Sequence, residues 1–261
     1  MYRKFLFLVF IAVGLTACRS HYEVTQVERS RILIDSRYDA VVDADARAFL
    51  MSYKNKVDSV ANRPVGHAAK FMPRHRPESE LSNLLADIMV WAGKFYGEKP
   101  DFGVYNMGGI RADLPQGVVT YGHVLNIAPF GNKIAFVTLS GKAVLELFAN
   151  FAGNQGEGVS KGVELVMTKD GKLVSAHLNG EPIDPRRDYR IATLNYLVEG
   201  NDNMTAFKKS RNIHSPSEEQ NDTRFIIMNY FIEMEKQGKA VDADIEGRVK
   251  INEKCKVNSE K

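Results

Sequence analysis

The chain has 261 residues, 44% of them hydrophobic and 26% charged, with Lys+Arg 35 against Asp+Glu 32. That balance is ordinary for a globular protein and excludes a disordered or fibrous chain. Two cysteines exclude a disulfide-dense scaffold and a four-cysteine zinc or iron–sulfur site, and a net charge of +3 gives no basis for nucleic-acid binding.

In chain order, the first element reads as a targeting segment. Arg3 and Lys4 precede the apolar run Phe5 to Leu15, which is too short for a lasting membrane span. The run ends in Leu15-Thr16-Ala17-Cys18, which resembles a bacterial lipobox. In that reading residues 1–17 are a lipoprotein signal peptide, Cys18 carries the acyl groups, and residues 18–23 form a tether. The alternative is an ordinary secretory signal with a cysteine near its cleavage site. Cys255 has no histidine nearby in sequence to activate it and reads as an inert thiol ahead of the polar tail 256–261. The expectation is an extracytoplasmic, membrane-anchored bacterial lipoprotein, in the periplasm or on the cell surface.

Tyr22 to Ile34 alternates loosely and predicts a strand. Asp43 to Val60 carries Ala46, Phe49, Leu50, Tyr53, Val57 and Val60 at helical spacing and predicts an amphipathic helix. Pro64 to Phe71 reads as a strand, followed by the basic loop Pro73-Arg74-His75-Arg76-Pro77. The next helix has the clearest pattern: Ser79 offers an N-cap, and Leu81, Leu84, Leu85, Ile88, Ala92 and Phe95 share a face. From Phe102 the pattern changes to short strands and Gly-containing turns, with a helix at Lys142 to Ala152. Val163 to Met167 and Leu173 to Leu178 flank the turn Lys169-Asp170-Gly171 and predict a hairpin. Tyr189 to Leu194 reads as a strand, Phe225 to Glu235 as a late helix and Gly247 to Ile251 as a closing strand. With no long linker and no repeat, these elements predict one α+β (mixed α/β) domain over residues 24–255, a mixed sheet packed by helices.

The six histidines form no Asp-x-His, His-x-His or His-Glu-x-x-His arrangement, so no catalytic metal site and no cofactor is expected in this chain. The stretch Gly153-Asn154-Gln155-Gly156-Glu157-Gly158 lacks a following Lys-Ser/Thr and reads as a flexible loop rather than a phosphate cradle. Three other segments stand out. In Tyr105-Asn106-Met107-Gly108-Gly109-Ile110-Arg111, two glycines separate an amide from a guanidinium and permit close backbone approach to a ligand. The same spacing also suits a plain turn with a surface arginine. In Pro129-Phe130-Gly131-Asn132 a constrained phenylalanine could stack on a planar ligand or simply fill the core. In Asn195-Tyr196-Leu197-Val198-Glu199-Gly200-Asn201-Asp202-Asn203, an aromatic precedes turn-forming residues and a carboxylate.

Together and in this order, over residues 70 to 210, these segments resemble the C-terminal domain of the 5′-nucleotidase family. The family's recurring features are the helix like Glu78 to Asp87, an Asn-x-Gly-Gly-Ile-Arg loop, a Pro-Phe-Gly-Asn turn and a late Gly-Gly-Asp-Gly stretch. The resemblance implies that this domain recognises a nucleoside. Phe130 and Tyr196 match the two aromatics that sandwich the base, with Tyr196 standing where Phe is more usual. Asn106 and Arg111 fall at the family's polar contacts, Asp202 matches the carboxylate that holds ribose hydroxyls, and Arg74 or, preferentially, Arg76 would add a cation. Here the late motif reads Gly200-Asn201-Asp202-Asn203, and Asn is the non-glycine residue most willing to take positive φ.

The family's N-terminal metallophosphatase domain has no counterpart in the sequence. The resemblance therefore implies the nucleoside-recognition half of a 5′-nucleotidase-like hydrolase. Its expected partners are a nucleoside or nucleoside 5′-monophosphate and a separately encoded metallophosphatase, which would hold the divalent metal ions. The alternatives are a free-standing nucleoside-binding lipoprotein and a degenerate domain kept for protein–protein contact.

Overall fold

The computed structural model describes residues 22–38 and 43–252. The expected lipidation site Cys18, the signal peptide and the polar tail lie outside the described residues. The chain divides into two compact units, residues 1–50 and 51–261. Among the described residues all strands belong to the second.

In the first unit, residues 22–34 form no strand. Tyr22 and Ile34 are 95% and 93% exposed, and an extended segment with no paired neighbour has no ladder to satisfy its backbone. Helix α1, Ala44–Ala61, forms as its spacing predicts, with Asp43 accepting from the Ala46 amide at 2.9 Å, but it contains no buried residue.

The second unit continues with β1 (Pro64–Ala68) and α2 (Glu80–Ala92). Ser79 caps α2 as expected, accepting from the Ser82 amide at 3.1 Å while the Ser82 hydroxyl accepts from the Ser79 amide. Leu81, Leu84, Leu85, Ile88 and Ala92 are buried. Phe95 is not: the helix ends at Ala92, and the following tight turn, residues 93–96, leaves its ring 63% exposed against Trp91 and Lys94. The remaining elements follow in order: β2 (Phe102–Tyr105), β3 (Gly117–Thr120), α3 (Tyr121–Ile127), β4 (Ile134–Ser140), α4 (Gly141–Gly153), β5 (Gly158–Val159), β6 (Val163–Thr168), β7 (Leu173–Leu178), β8 (Glu181–Pro182), β9 (Asp188–Leu194), α5 (Asn195–Val198), β10 (Arg211–His214), α6 (Thr223–Lys236) and β11 (Val249–Asn252).

The central sheet is mixed, in the order β10-β4-β9-β2-β5. β9 pairs parallel with β2 and antiparallel with β4, and the β4 pairing runs unbroken from Ile134↔Leu194 to Ser140↔Asp188. A second sheet, β11-β6-β7-β8, contains the predicted hairpin, with β11 added parallel to β6. β1 and β3 pair separately. The core lies between the central sheet and its helices, where Leu85, Ile88, Phe102, Phe136, Phe148 and Ile191 are almost fully buried. Burying each such side chain contributes about 1.5–3 kcal/mol. Among the described residues no helix is long and apolar enough to cross a membrane.

Candidate functional site

Three strand ends meet at one edge of the central sheet. Because β2 and β9 are parallel, their carboxyl ends lie side by side, and β4, antiparallel to β9, begins at the same edge. The loop after β2 (106–111), the segment after β9 (195–203) and the turn before β4 (129–133) therefore converge, at the kind of edge where α/β sheets place their ligands. They enclose a cavity of about 350 Å³. Asn106, Arg111, Phe130, Tyr196 and Asp202 all line it, with Asn132, Gly108 and Gly109.

The two rings are surface groups. Phe130 and Tyr196 are 45% and 37% exposed, against 1% or less for Phe102 and Phe136, so neither fills the core. Phe130 rides on a turn held from both sides. The Lys133 amide donates to Asn195 Oδ1 at 2.8 Å, and the Thr223 amide donates to the Asn132 carbonyl at 2.9 Å. The Lys133 ammonium and Arg224 both pair with the buried carboxylate of Asp222. The Arg111 guanidinium stands 5.8 Å from the Phe130 ring centroid, on its π-face.

Asp202 is the polar centre of the cavity. Its Oδ1 accepts from the Tyr196 hydroxyl at 2.9 Å and its Oδ2 from the Asn106 amide Nδ2 at 2.5 Å. The hydrogen bond to Asp202 raises the Tyr196 phenol above its usual range. Tyr196 thus contributes more than the π-face for which sequence comparison alone would credit it. Each carboxylate oxygen keeps a further accepting position for a ligand hydroxyl. Asn106 is 2% exposed, and its Oδ1 has no hydrogen-bond partner, a buried acceptor that a ligand donor could satisfy.

The loop 200–203 keeps a left-handed backbone, with Gly200, Asp202 and Asn203 at φ 82°, 52° and 60°. Of the two asparagines, only Asn203 takes positive φ. Asn201 instead donates from Nδ2 to the Tyr196 carbonyl at 2.8 Å, closing the loop onto the aromatic residue.

Arg76 does not line this cavity. Its guanidinium is spent on the Gly156 carbonyl and on Glu157, whose Oε1 lies 3.0 Å from Nη2. The buried Glu157 carboxylate needs a compensating charge, and Arg76 is the cation that reaches it. Arg74 is likewise engaged, donating to the Ile110 carbonyl at 2.7 Å and so bracing the residue before Arg111.

Glu157 and Asn154 carry no signal in the sequence, where residues 153–158 read as a flexible loop. The segment is held tightly: β5 pairs with Val104 and Tyr105 of β2, and Glu157 Oε2 accepts from the Met107 amide at 2.6 Å. A glutamate flanked by glycines is no signal in itself. Only the β2–β5 pairing, a long-range event, brings it under the 106–109 loop. Among the described residues no group of three or more His, Cys, Asp or Glu side chains is placed to hold a metal ion.

The mixed sheet carries an aromatic, carboxylate and guanidinium cavity at its strand ends, and comparison with known proteins places the domain. Residues 64–209 match the family model described as 5′-nucleotidase, C-terminal domain, and the chain belongs to that family. Protein UshA of Escherichia coli is 36% identical over 158 residues, covering 59% of this chain and 29% of UshA. Cell wall protein Lmo0130 of Listeria monocytogenes is 27% identical over 243 residues, covering 84% of this chain and 30% of that protein. The solved 5′-nucleotidase precursor from Thermus thermophilus superposes with a TM-score of 0.70 at 26% identity, over 80% of this chain and 43% of that one. The chain thus spans about a third or less of the curated relatives it matches.

Proposed function

We propose that the cavity binds a nucleoside or nucleoside 5′-monophosphate, and that the chain is the recognition component of a 5′-nucleotidase-like hydrolase in extracytoplasmic nucleotide catabolism. The observation that carries this reading is one cavity offering two exposed rings, a carboxylate and a guanidinium. A nucleotide supplies the complement of each. Its base presents π-faces to Phe130 and Tyr196, its ribose hydroxyls donate to Asp202, and its phosphate accepts from Arg111.

The names of the relatives support the same direction. One is a 5′-nucleotidase precursor, and another is a cell wall protein, in keeping with a location outside the cytoplasm; membrane anchoring through Cys18 is part of the same proposal. In this proposal hydrolysis belongs to a separately encoded metallophosphatase, which would hold the divalent metal ions. This chain's part is to hold and orient the nucleotide, which alone is a substantial share of a hydrolytic barrier.

Calorimetric titration with adenosine and AMP tests the binding. Phe130→Ala should weaken it roughly ten- to a hundredfold, since stacking contributes about 1–3 kcal/mol per base. With the ring 45% exposed, the melting temperature should scarcely move. The chain alone should not hydrolyse AMP, with or without added Mn²⁺ or Zn²⁺, and should accelerate or redirect a metallophosphatase partner. Chelator-sensitive turnover by the chain alone would overturn the assignment. Binding without any effect on such an enzyme would make it a free-standing nucleoside-binding lipoprotein.

A further inference from the structure

Behind the cavity, Glu157 sits with its side chain 1% exposed. Both carboxylate oxygens are in use. Oε2 accepts from the Met107 amide at 2.6 Å, and Oε1 accepts from Arg76 Nη2 at 3.0 Å and from Asn154 Nδ2 at 3.1 Å. The same Asn154 amide group gives its other hydrogen to the Asp202 carbonyl at 2.7 Å, while Asn154 Oδ1 accepts from Asn203 Nδ2 at 3.3 Å. A continuous path therefore runs from Met107, next to Asn106, through Glu157 and Asn154 to Asp202. The two loops that face each other across the cavity are joined at the front by Asn106 and Asp202, and at the rear by Glu157 and Asn154.

We infer that Glu157 is a positioning residue: its ionised carboxylate, through Met107 and Asn154, holds Asn106 and Asp202 at their ligand-binding separation and so sets affinity for the nucleoside, an inference that rests on the nucleoside reading of the cavity. The chemistry requires the ionised form. A carboxylate accepts at both oxygens, whereas a protonated carboxyl or an amide carries hydrogen on one side. The neutral group must give up either the Met107 amide or the pair from Arg76 and Asn154.

Burial pushes the Glu157 carboxyl up, against the opposing pull of the Arg76 cation. The charged groups facing it are Arg76, from the 73–77 loop, and Asp202, beyond Asn154. The 106–109 loop and the 153–156 turn carry no charged residue. Because the folded-state carboxyl titrates above its ordinary value, its neutral form is the one the fold favours. Stability from this group is full below the ordinary glutamate range and declines as pH rises through the raised value. Positioning runs the other way, since it requires the charge that burial opposes. Glu157→Gln separates the two roles.

The experiment uses the full chain, with adenosine and AMP as probes, titrated calorimetrically across acid to neutral pH beside a melting curve at each pH. Glu157→Gln should remain folded at neutral pH, yet bind about tenfold more weakly. Wild-type affinity should fall as pH is lowered through the Glu157 titration, and that part of the profile should vanish in the variant. A folded Glu157→Gln protein with wild-type affinity and an unchanged profile overturns the inference. Should that variant not fold, Asn154→Ala decides: it cuts the rear path while leaving Glu157 on Met107, so a comparable loss supports the inference and unchanged affinity defeats it.

Hydrogen exchange on the ligand-free chain keeps the test separate from the nucleoside reading. Faster exchange at residues 106–109 and 201–204 in Glu157→Gln, with β9 unaffected, sustains the positioning role even where wild type binds no nucleoside and that reading fails. Unchanged exchange in both loops refutes positioning.

Discussion

Residues 106–111 and residues 153–158 are both short and glycine-rich, and each follows a regular element, yet they stand in different relations to the cavity. The first exposes its polar groups to the cavity: Asn106, Arg111 and the backbone of Gly108 and Gly109 form one wall. The second turns away, buries Glu157 and pairs with β2 beneath that wall. Glycine serves a different purpose in each. At Gly109 a Cβ would lie 2.6 Å from Asn106 Oδ1, so the missing side chain leaves room for a binding group. At Gly156 a Cβ would lie 2.3 Å from the Pro77 carbonyl, and φ is +104°, so the missing side chain leaves room for the backbone itself. Composition predicts that a segment can bend or approach closely; it does not say what is approached.

The largest expected effect falls on the buried loop. Gly156→Ala meets both a left-handed backbone and a carbonyl that cannot retreat, at a cost of about 3 kcal/mol, lowering Tm by roughly 6–12 °C. A silent substitution would return residues 153–158 to the status of a flexible loop and end the contrast between the loops.

Asp202→Asn comes next and probes the residue that both loops reach. The rear bond from Asn154 goes to the backbone carbonyl and survives, whereas the front bonds from Tyr196 and Asn106 meet an amide with one accepting oxygen. Affinity for adenosine should fall about tenfold, the loss of a charge-assisted hydrogen bond. Analogues lacking ribose hydroxyls should lose less. Equal losses for both ligands in a competition titration would remove Asp202 from ribose recognition.

Gly109→Ala should displace the Asn106 side chain alone. We expect about a fivefold weaker Kd with Tm within a few degrees of wild type, because a side chain, unlike the Pro77 carbonyl, can rotate. A Tm loss as large as that of Gly156→Ala would show that the two glycines do the same job.

The smallest effect is expected at Tyr196→Phe. The ring remains, and the hydroxyl's hydrogen bond to Asp202 is lost at a half-exposed position, so affinity should fall by roughly two- to threefold. A tenfold loss would place the hydroxyl in direct contact with the ligand.

Helical spacing identified α1 and α2 equally well, and the Ser79 cap, the 169–171 turn and the strand at 189–194 were legible for the same reason: period, capping and turn chemistry act within a few residues. The fate of the apolar stripes was not legible. That of α2 is buried, whereas that of α1, Leu50 and Val57 among it, is exposed, because burial depends on what packs against a face. The candidate strand at 22–34 failed for a related reason, since alternation supplies one strand and pairing needs two.

By itself the sequence determined the mixed α+β class, the order of the elements and, through motif resemblance, Asn106, Arg111, Phe130, Tyr196 and Asp202 as a group. Each rests on local or ordered signals that survive without coordinates. The parallel pairing of β2 with β9, and the antiparallel entry of β4, brought those residues to one sheet edge. Tertiary structure alone decided that Arg76 belongs to Glu157 and not to the cavity, and that Glu157 and Asn154 join its walls from behind. Those outcomes follow from which buried charge a cation can reach and which amides a carboxylate lies under. Both are set by long-range packing, on which residue spacing along the chain carries no information.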